Sequence, residues 1–159
     1  MSDNKESLSN LQTALSMELS AATQYLLHAH VLDDWGLDRL SGRMHEEMNE
    51  ELGHAGKFID RILFLRGEPV MEPQKNPRPA KNLKELFETD RQDEKDTIAF
   101  YTKAARSARD ADDIGTSLLF ESIIPDEEGH WDWLDQQLDL LDRMGEPTFM
   151  AKYMSGEAE

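Results

Sequence analysis

Glu127-Glu128-Gly129-His130 lies midway along one long helical pattern, and Glu51-Leu52-Gly53-His54 lies midway along another, 76 residues earlier. They are the only two Glu-x-x-His sequences in the chain. Residues i and i+3 share a helix face, so each pair can offer one carboxylate and one imidazole to the same cation. One such pair is commonplace on a solvated helix. Two at a fixed interval need a reason.

Outward from these pairs, apolar stripes run at helical spacing. The first reads Leu11, Leu15, Glu18, Ala22, Tyr25, Ala29, Leu32, and the second Met44, Glu47, Glu51, Ala55, Phe58, Ile62, Leu65. The third reads Leu83, Phe87, Glu94, Ile98, Tyr101, Ala105, Ala108, and the fourth Phe120, Ile123, Glu127, His130, Leu134, Leu141. Each stripe carries an ionisable group where the pattern asks for a core residue. Glu18 and Glu94 are again 76 residues apart, and the helix stops Gly67-Glu68-Pro69 and Gly145-Glu146-Pro147 repeat at 78. The chain reads as two related hairpins, each contributing one Glu and one Glu-x-x-His.

Breakers are few and far apart. Gly36, Gly67-Glu68-Pro69, the Asp110–Asp113 run and Gly145-Glu146-Pro147 divide helices expected at about 4–35, 38–66, 83–110 and 113–143, with a short fifth near 147–154. Pro69, Pro73, Pro77 and Pro79 make the segment up to Asn82 a loop, and Asn82 suits a helix N-cap. No segment alternates with the period of a strand. Helices of this length run roughly 40 Å. Two short turns and one long connection predict an all-α four-helix bundle with a long crossover, in one domain over 1–159.

The six singular residues fall near the helix midpoints, which meet at one level in an antiparallel bundle. Four buried carboxylates would cost several kcal/mol per ion if uncompensated. Two divalent cations bring +4 against that −4, and carboxylate with imidazole suits iron, manganese, zinc or cobalt.

Composition narrows the function. Seventeen basic against 33 acidic residues give a net charge of −16, the wrong sign for nucleic acid or an anionic membrane. Acidity is compatible with a cation-handling protein, but plain solubility accounts for it more readily. With no cysteine, disulfides, iron–sulfur ligation and thiol catalysis are excluded. The N-terminus has no apolar signal region and no stretch approaches a membrane span, so a cytoplasmic location is expected.

The segments Glu18-Leu19, Gln24-Tyr25, His28-Ala29, Trp35-Gly36-Leu37, Arg61–Leu65 and Asp126–Leu134 resemble bacterioferritin along the whole chain. One Glu from each of two helices with Glu-x-x-His from the other two is the general pattern of ferritin-like di-iron and di-manganese proteins. The resemblance implies a ferroxidase: Fe(II) oxidised by O₂ or H₂O₂ at two irons per subunit, with ferric mineral stored in a hollow twenty-four-subunit shell. Glu51 and Glu127 would bridge the metals, with Glu18 and His54 at one end and Glu94 and His130 at the other. Tyr25 and Trp133 resemble aromatics that support the centre, although Tyr25 fits equally as packing.

Three features depart from the family. Its haem b hangs on a methionine one residue after the bridging Glu of the second helix, and here that position is Leu52. Leucine has no lone pair for iron, and Met48 is one turn away, about 6 Å, so haem is not expected in a homo-oligomer. Pro125 stands inside the fourth helix, where it should kink or bulge the chain. The family's inner-surface iron site reads Glu46 and Glu50, at i and i+4, which serve as ligands or as a solvated acidic face. Leu52 also admits a haem-free subunit in a mixed shell with a haem-bearing bacterioferritin partner. A different di-metal oxidoreductase is the remaining alternative, though the lack of cysteine removes a rubredoxin-like tail and the chain is short for a manganese catalase. Met48, Leu52, Ile59 and Leu63 form a second apolar stripe that should face another subunit.

Overall fold

The computed structural model describes residues 4–155, so the two ends of the expected domain lie outside the described residues. The helices are α1 (Lys5–Asp34), α2 (Asp38–Phe64), α3 (Leu83–Asp110), α4 (Ile114–Met144) and α5 (Glu146–Lys152). Among the described residues there is no strand. Each boundary falls within about two residues of the sequence-based expectation.

Local chemistry sets the breaks. Gly36 turns α1 into α2 at φ +83°, and Gly145 separates α4 from α5 at φ +76°, conformations that cost glycine little. Asn82 caps α3 by accepting the Glu85 N–H at 2.8 Å. Asp113 caps α4 at Thr116 and also accepts Arg61 Nη2 at 2.8 Å, tying the hairpin of α3 and α4 to the end of α2. Pro125 does not interrupt α4, which is continuous from Ile114 to Met144. The acceptor left without its intrahelical donor, the Glu121 carbonyl, belongs to an exposed residue that water can reach.

The long crossover lies along α1, held at every fourth residue of one helix face. Gln12 exchanges hydrogen bonds with the Val70 backbone, and the Gln74 N–H donates to the Ser16 carbonyl. Ser20 Oγ accepts from the Gln74 and Lys75 N–H groups, and Gln24 pairs with the Arg78 backbone. The loop thereby carries the chain from the end of α2 back to the start of α3.

Contacts between helices fix their directions. Tyr25 meets Glu94 while Tyr101 meets Glu18, so α1 and α3 are antiparallel. His54 meets Asp126 while His130 meets Glu50, so α2 and α4 are antiparallel as well. Two apolar layers fill the bundle. One gathers Leu11, Leu15, Phe58, Ile62, Tyr101, Phe120 and Ile123. The other gathers Tyr25, Leu32, Leu40, Met44, Phe87 and Leu134, and is closed by Phe149 of α5. Between them lies a polar layer. Among the described residues no helix is long and apolar enough to cross a membrane.

Candidate metal centre

The polar layer contains all six residues singled out by spacing, each no more than 4 % exposed. His54 Nδ1 lies 2.8 Å from Glu127 Oε1 and 3.5 Å from both Glu18 Oε1 and Glu51 Oε1. His130 Nδ1 lies 3.2 Å from Glu51 Oε1 and 3.5 Å from Glu94 Oε1 and Glu127 Oε2. The side chains form two overlapping sets: Glu18, Glu51, His54 and Glu127, and Glu51, Glu94, Glu127 and His130. Within each set the ligand atoms lie within 4.8 Å of one another, and Glu51 and Glu127 belong to both.

Many of these atoms make no hydrogen bond within the protein, although buried polar atoms ordinarily do. They include Glu18 Oε2, Glu51 Oε1, Glu94 Oε2, both oxygens of Glu127 and Nδ1 of both histidines. Lone pairs converge on one small volume without donors to match them. Such a donor set fits a pair of hard or borderline divalent cations.

Electrostatics agree. Burial, and then repulsion from Glu127, pushes Glu18 and Glu94 above the usual carboxylate range. Burial, and then Glu18, Glu94 and Glu127, pushes Glu51 well above that range too. Burial opposes charge on Glu127 too, but the close approach of the Glu94, His130 and His54 side chains outweighs it and holds that carboxyl well below its usual range. Burial would lower both imidazoles, yet the surrounding carboxylates raise them strongly. Glu18, Glu51, Glu94 and both imidazoles hold protons more tightly than free groups do, and cations that bind there must displace them.

The surroundings contain residues that spacing did not single out. Each imidazole turns Nε2 away from the centre to a carboxylate: His54 to Asp126 Oδ2 at 3.0 Å, and His130 to Glu50 Oε2 at 2.8 Å and Glu47 Oε2 at 2.6 Å. Glu47 also accepts Arg43 Nε at 2.7 Å. Tyr25 donates to Glu94 Oε1 and Tyr101 donates to Glu18 Oε1, both at 2.6 Å. Tyr101 reads as packing in its stripe. Its signal was the spacing, seven residues after Glu94 as Tyr25 is seven after Glu18.

The Trp133 ring packs edge-on against Phe87 and under the Arg43 guanidinium at 4.4 Å, and Arg43 in turn donates to Glu47. Glu46 and Glu50 are both exposed, and Glu50 turns to His130 beside Glu47. Leu52 and Leu63 are exposed on α2, with Met48 and Ile59 half-buried.

Comparison with known proteins gives one answer. A sequence model of the ferritin-like domain family matches residues 8–144. Bacterioferritin of Rhodobacter capsulatus is 40 % identical over 139 residues, covering 87 % of this chain and 86 % of that protein. Bacterioferritin of Brucella melitensis is 39 % identical over 142 residues, covering 89 % and 88 %. A solved Rhodobacter capsulatus bacterioferritin, described with a metal-free dinuclear site and a haem iron, superposes with a TM-score of 0.95 at 36 % identity, covering 100 % of this chain and 99 % of that one. Mycobacterium tuberculosis bacterioferritin BfrA superposes at 0.93, with 34 % identity and 98 % of both chains covered. The chain therefore belongs to the ferritin-like family, among the bacterioferritins, and its place is in iron storage.

Proposed function

We propose that this centre takes up two Fe(II) ions and oxidises them, and that copies of the chain store the ferric product inside a hollow shell of 24 subunits. The observation that carries the proposal is the pair of overlapping four-ligand sets that share Glu51 and Glu127. Those two carboxylates would bridge the ions, with Glu18 and His54 completing one end and Glu94 and His130 the other. Two bound Fe(II) supply two electrons, enough to reduce one H₂O₂ to water or one O₂ to H₂O₂.

The chain's own residues prepare the site. Asp126 on His54, and Glu50 with Glu47 on His130, hold each ring so that Nδ1 faces the carboxylates. The apolar layers on either side exclude water and strengthen every charge interaction between them. The exposed apolar residues Leu26, Leu52, Leu63 and Phe64 would be covered by a second copy, the first contact of a shell. A cytoplasmic location fits the reducing conditions that supply Fe(II).

The test adds Fe(II) aerobically to metal-stripped protein and images the same sample in negative stain. A rapid phase consuming about two Fe(II) per chain, followed by shells with dense cores, is expected. A monomer at micromolar concentration with no rapid phase contradicts the proposal.

Leu52 favours a second reading of the assembly. With no thioether at that position, a shell of this chain alone would lack methionine-ligated haem, and a haem-bearing subunit would supply it in a mixed shell. Leu52→Met changes volume little and returns the ligand atom. Haem retained through gel filtration by Leu52→Met, and not by the parent, supports this reading.

A further inference from the structure

We propose that Tyr101 is a positioning residue of the metal centre, matched to Tyr25, and that it sets the affinity of the Glu18–His54 half separately from the Glu94–His130 half. The inference rests on the di-metal reading given above.

The hydroxyl is not explained by packing. The Tyr101 ring is fully buried among Phe58, Phe120 and Phe100, with centroids 5.5, 5.4 and 6.3 Å away. Phenylalanine would fill that space without a polar atom to satisfy. Instead the O–H reaches Glu18 Oε1 at 2.6 Å, while the nearby Ala14 carbonyl, at 3.5 Å, is too distant for a good bond.

The arrangement is reciprocal. Because α1 and α3 are antiparallel, a tyrosine two turns beyond the glutamate on either helix arrives level with the glutamate of the other. Tyr25 rises from one apolar layer to Glu94, and Tyr101 from the other layer to Glu18. Each tyrosine occupies Oε1 of its glutamate and leaves Oε2 without a hydrogen bond. The bond to one oxygen fixes the carboxylate plane, and the other oxygen is left for a metal. A carboxylate freed of that bond must be reordered each time an ion binds, which lowers affinity at its own end of the centre.

The test titrates metal-stripped protein with Co(II), following the visible bands of the bound ion and the heat of binding. The parent should bind two ions per chain. Tyr101→Phe should weaken one of them by about 10- to 100-fold, the range for losing a partner that orients a ligand, and leave the other unchanged. Tyr25→Phe should weaken the other ion. In a Glu18→Gln background Tyr101→Phe should have no further effect, whereas Tyr25→Phe should keep its full effect. A purely structural tyrosine would lower thermal stability without choosing between the ions. Loss of affinity for neither ion, or equally for both, overturns the proposal. A parent that binds fewer than two ions overturns it together with the di-metal reading, and is told apart by the parent's stoichiometry alone.

Discussion

Two buried polar clusters join the helices of this bundle, and they are built in opposite ways. His28 is fully buried with both ring nitrogens engaged: Nδ1 lies 2.8 Å from Asp90 Oδ2, and Nε2 lies 2.8 Å from Gln24 Nε2. The Gln24 amide can only donate there, so Nε2 accepts and Nδ1–H donates to Asp90. Gln24 in turn holds the Arg78 backbone of the crossover. That cluster closes on itself. The Glu–His centre, two turns away along α1, leaves carboxylate oxygens and both Nδ1 atoms without hydrogen bonds. Similar residue types on the same helices thus form a fastening in one place and a receptor in the other. What separates them is whether the protein itself satisfies the polar atoms.

The largest effect expected from this difference is on activity. Glu51→Gln or Glu127→Gln should reduce rapid Fe(II) oxidation to the background rate in stopped-flow absorbance. His28→Ala should leave the rapid phase in place. Metal-stripped Glu51→Gln should be no less stable to heat than the metal-stripped parent, because it removes a charge that burial and three neighbouring carboxylates oppose. A large loss of stability in that variant would mean that the centre is a fastening too.

His28→Ala should act on stability instead, costing roughly 3–5 kcal/mol by chemical denaturation, because it strands Asp90 in the interior. The pH dependence should also divide the regions. Glu18, Glu51 and Glu94 have raised pKa values in the fold, so their contribution to the metal-free protein is present below the unfolded carboxylate range and is lost as pH rises through the folded values. Bound cations replace the displaced protons. The rise in melting temperature on adding Co(II) should therefore be small near pH 5 and larger near pH 7.5, and an increment independent of pH would contradict the assignment. The smallest effect belongs to the end of the bundle. Burial opposes the Asp113 charge, but Thr116, Ser7 and Arg61 together lower its pKa, so its contribution is present above the unfolded value and fades as pH falls through the folded one. Asp113→Ala should cost about 1–2 kcal/mol near neutral pH, the cost of a lost cap, with no change in metal stoichiometry.

The fold was legible because its signals are local. Stripes at helical spacing, Asn82 as a cap, and Gly36, the Asp110–Asp113 run and Gly145 as breaks each act within a few residues. The six residues of the centre could be grouped because the 76-residue offset carries information across helices that no single helix contains. Pro125 leaves α4 continuous, since its missing N–H would have met the carbonyl of the exposed residue Glu121. Asp126 and Asp90 were illegible because an acidic residue on an acidic helix looks solvated until its partner across the bundle is known. The directions of Trp133 and Glu50 were illegible for a related reason: they depend on neighbours such as Arg43 and His130, which sequence spacing does not reveal.

The central claim is that one buried centre holds two ions bridged by Glu51 and Glu127, and anomalous diffraction at the iron edge tests it most directly. Crystals grown metal-free and then soaked anaerobically in Fe(II) should give two peaks per chain roughly 3.5–4 Å apart. Each peak should lie within bonding distance of Glu51 and Glu127, one beside Glu18 and His54 and the other beside Glu94 and His130. A single peak, or iron found only on the outer carboxylates Glu47, Glu50 and Asp126, would contradict the account.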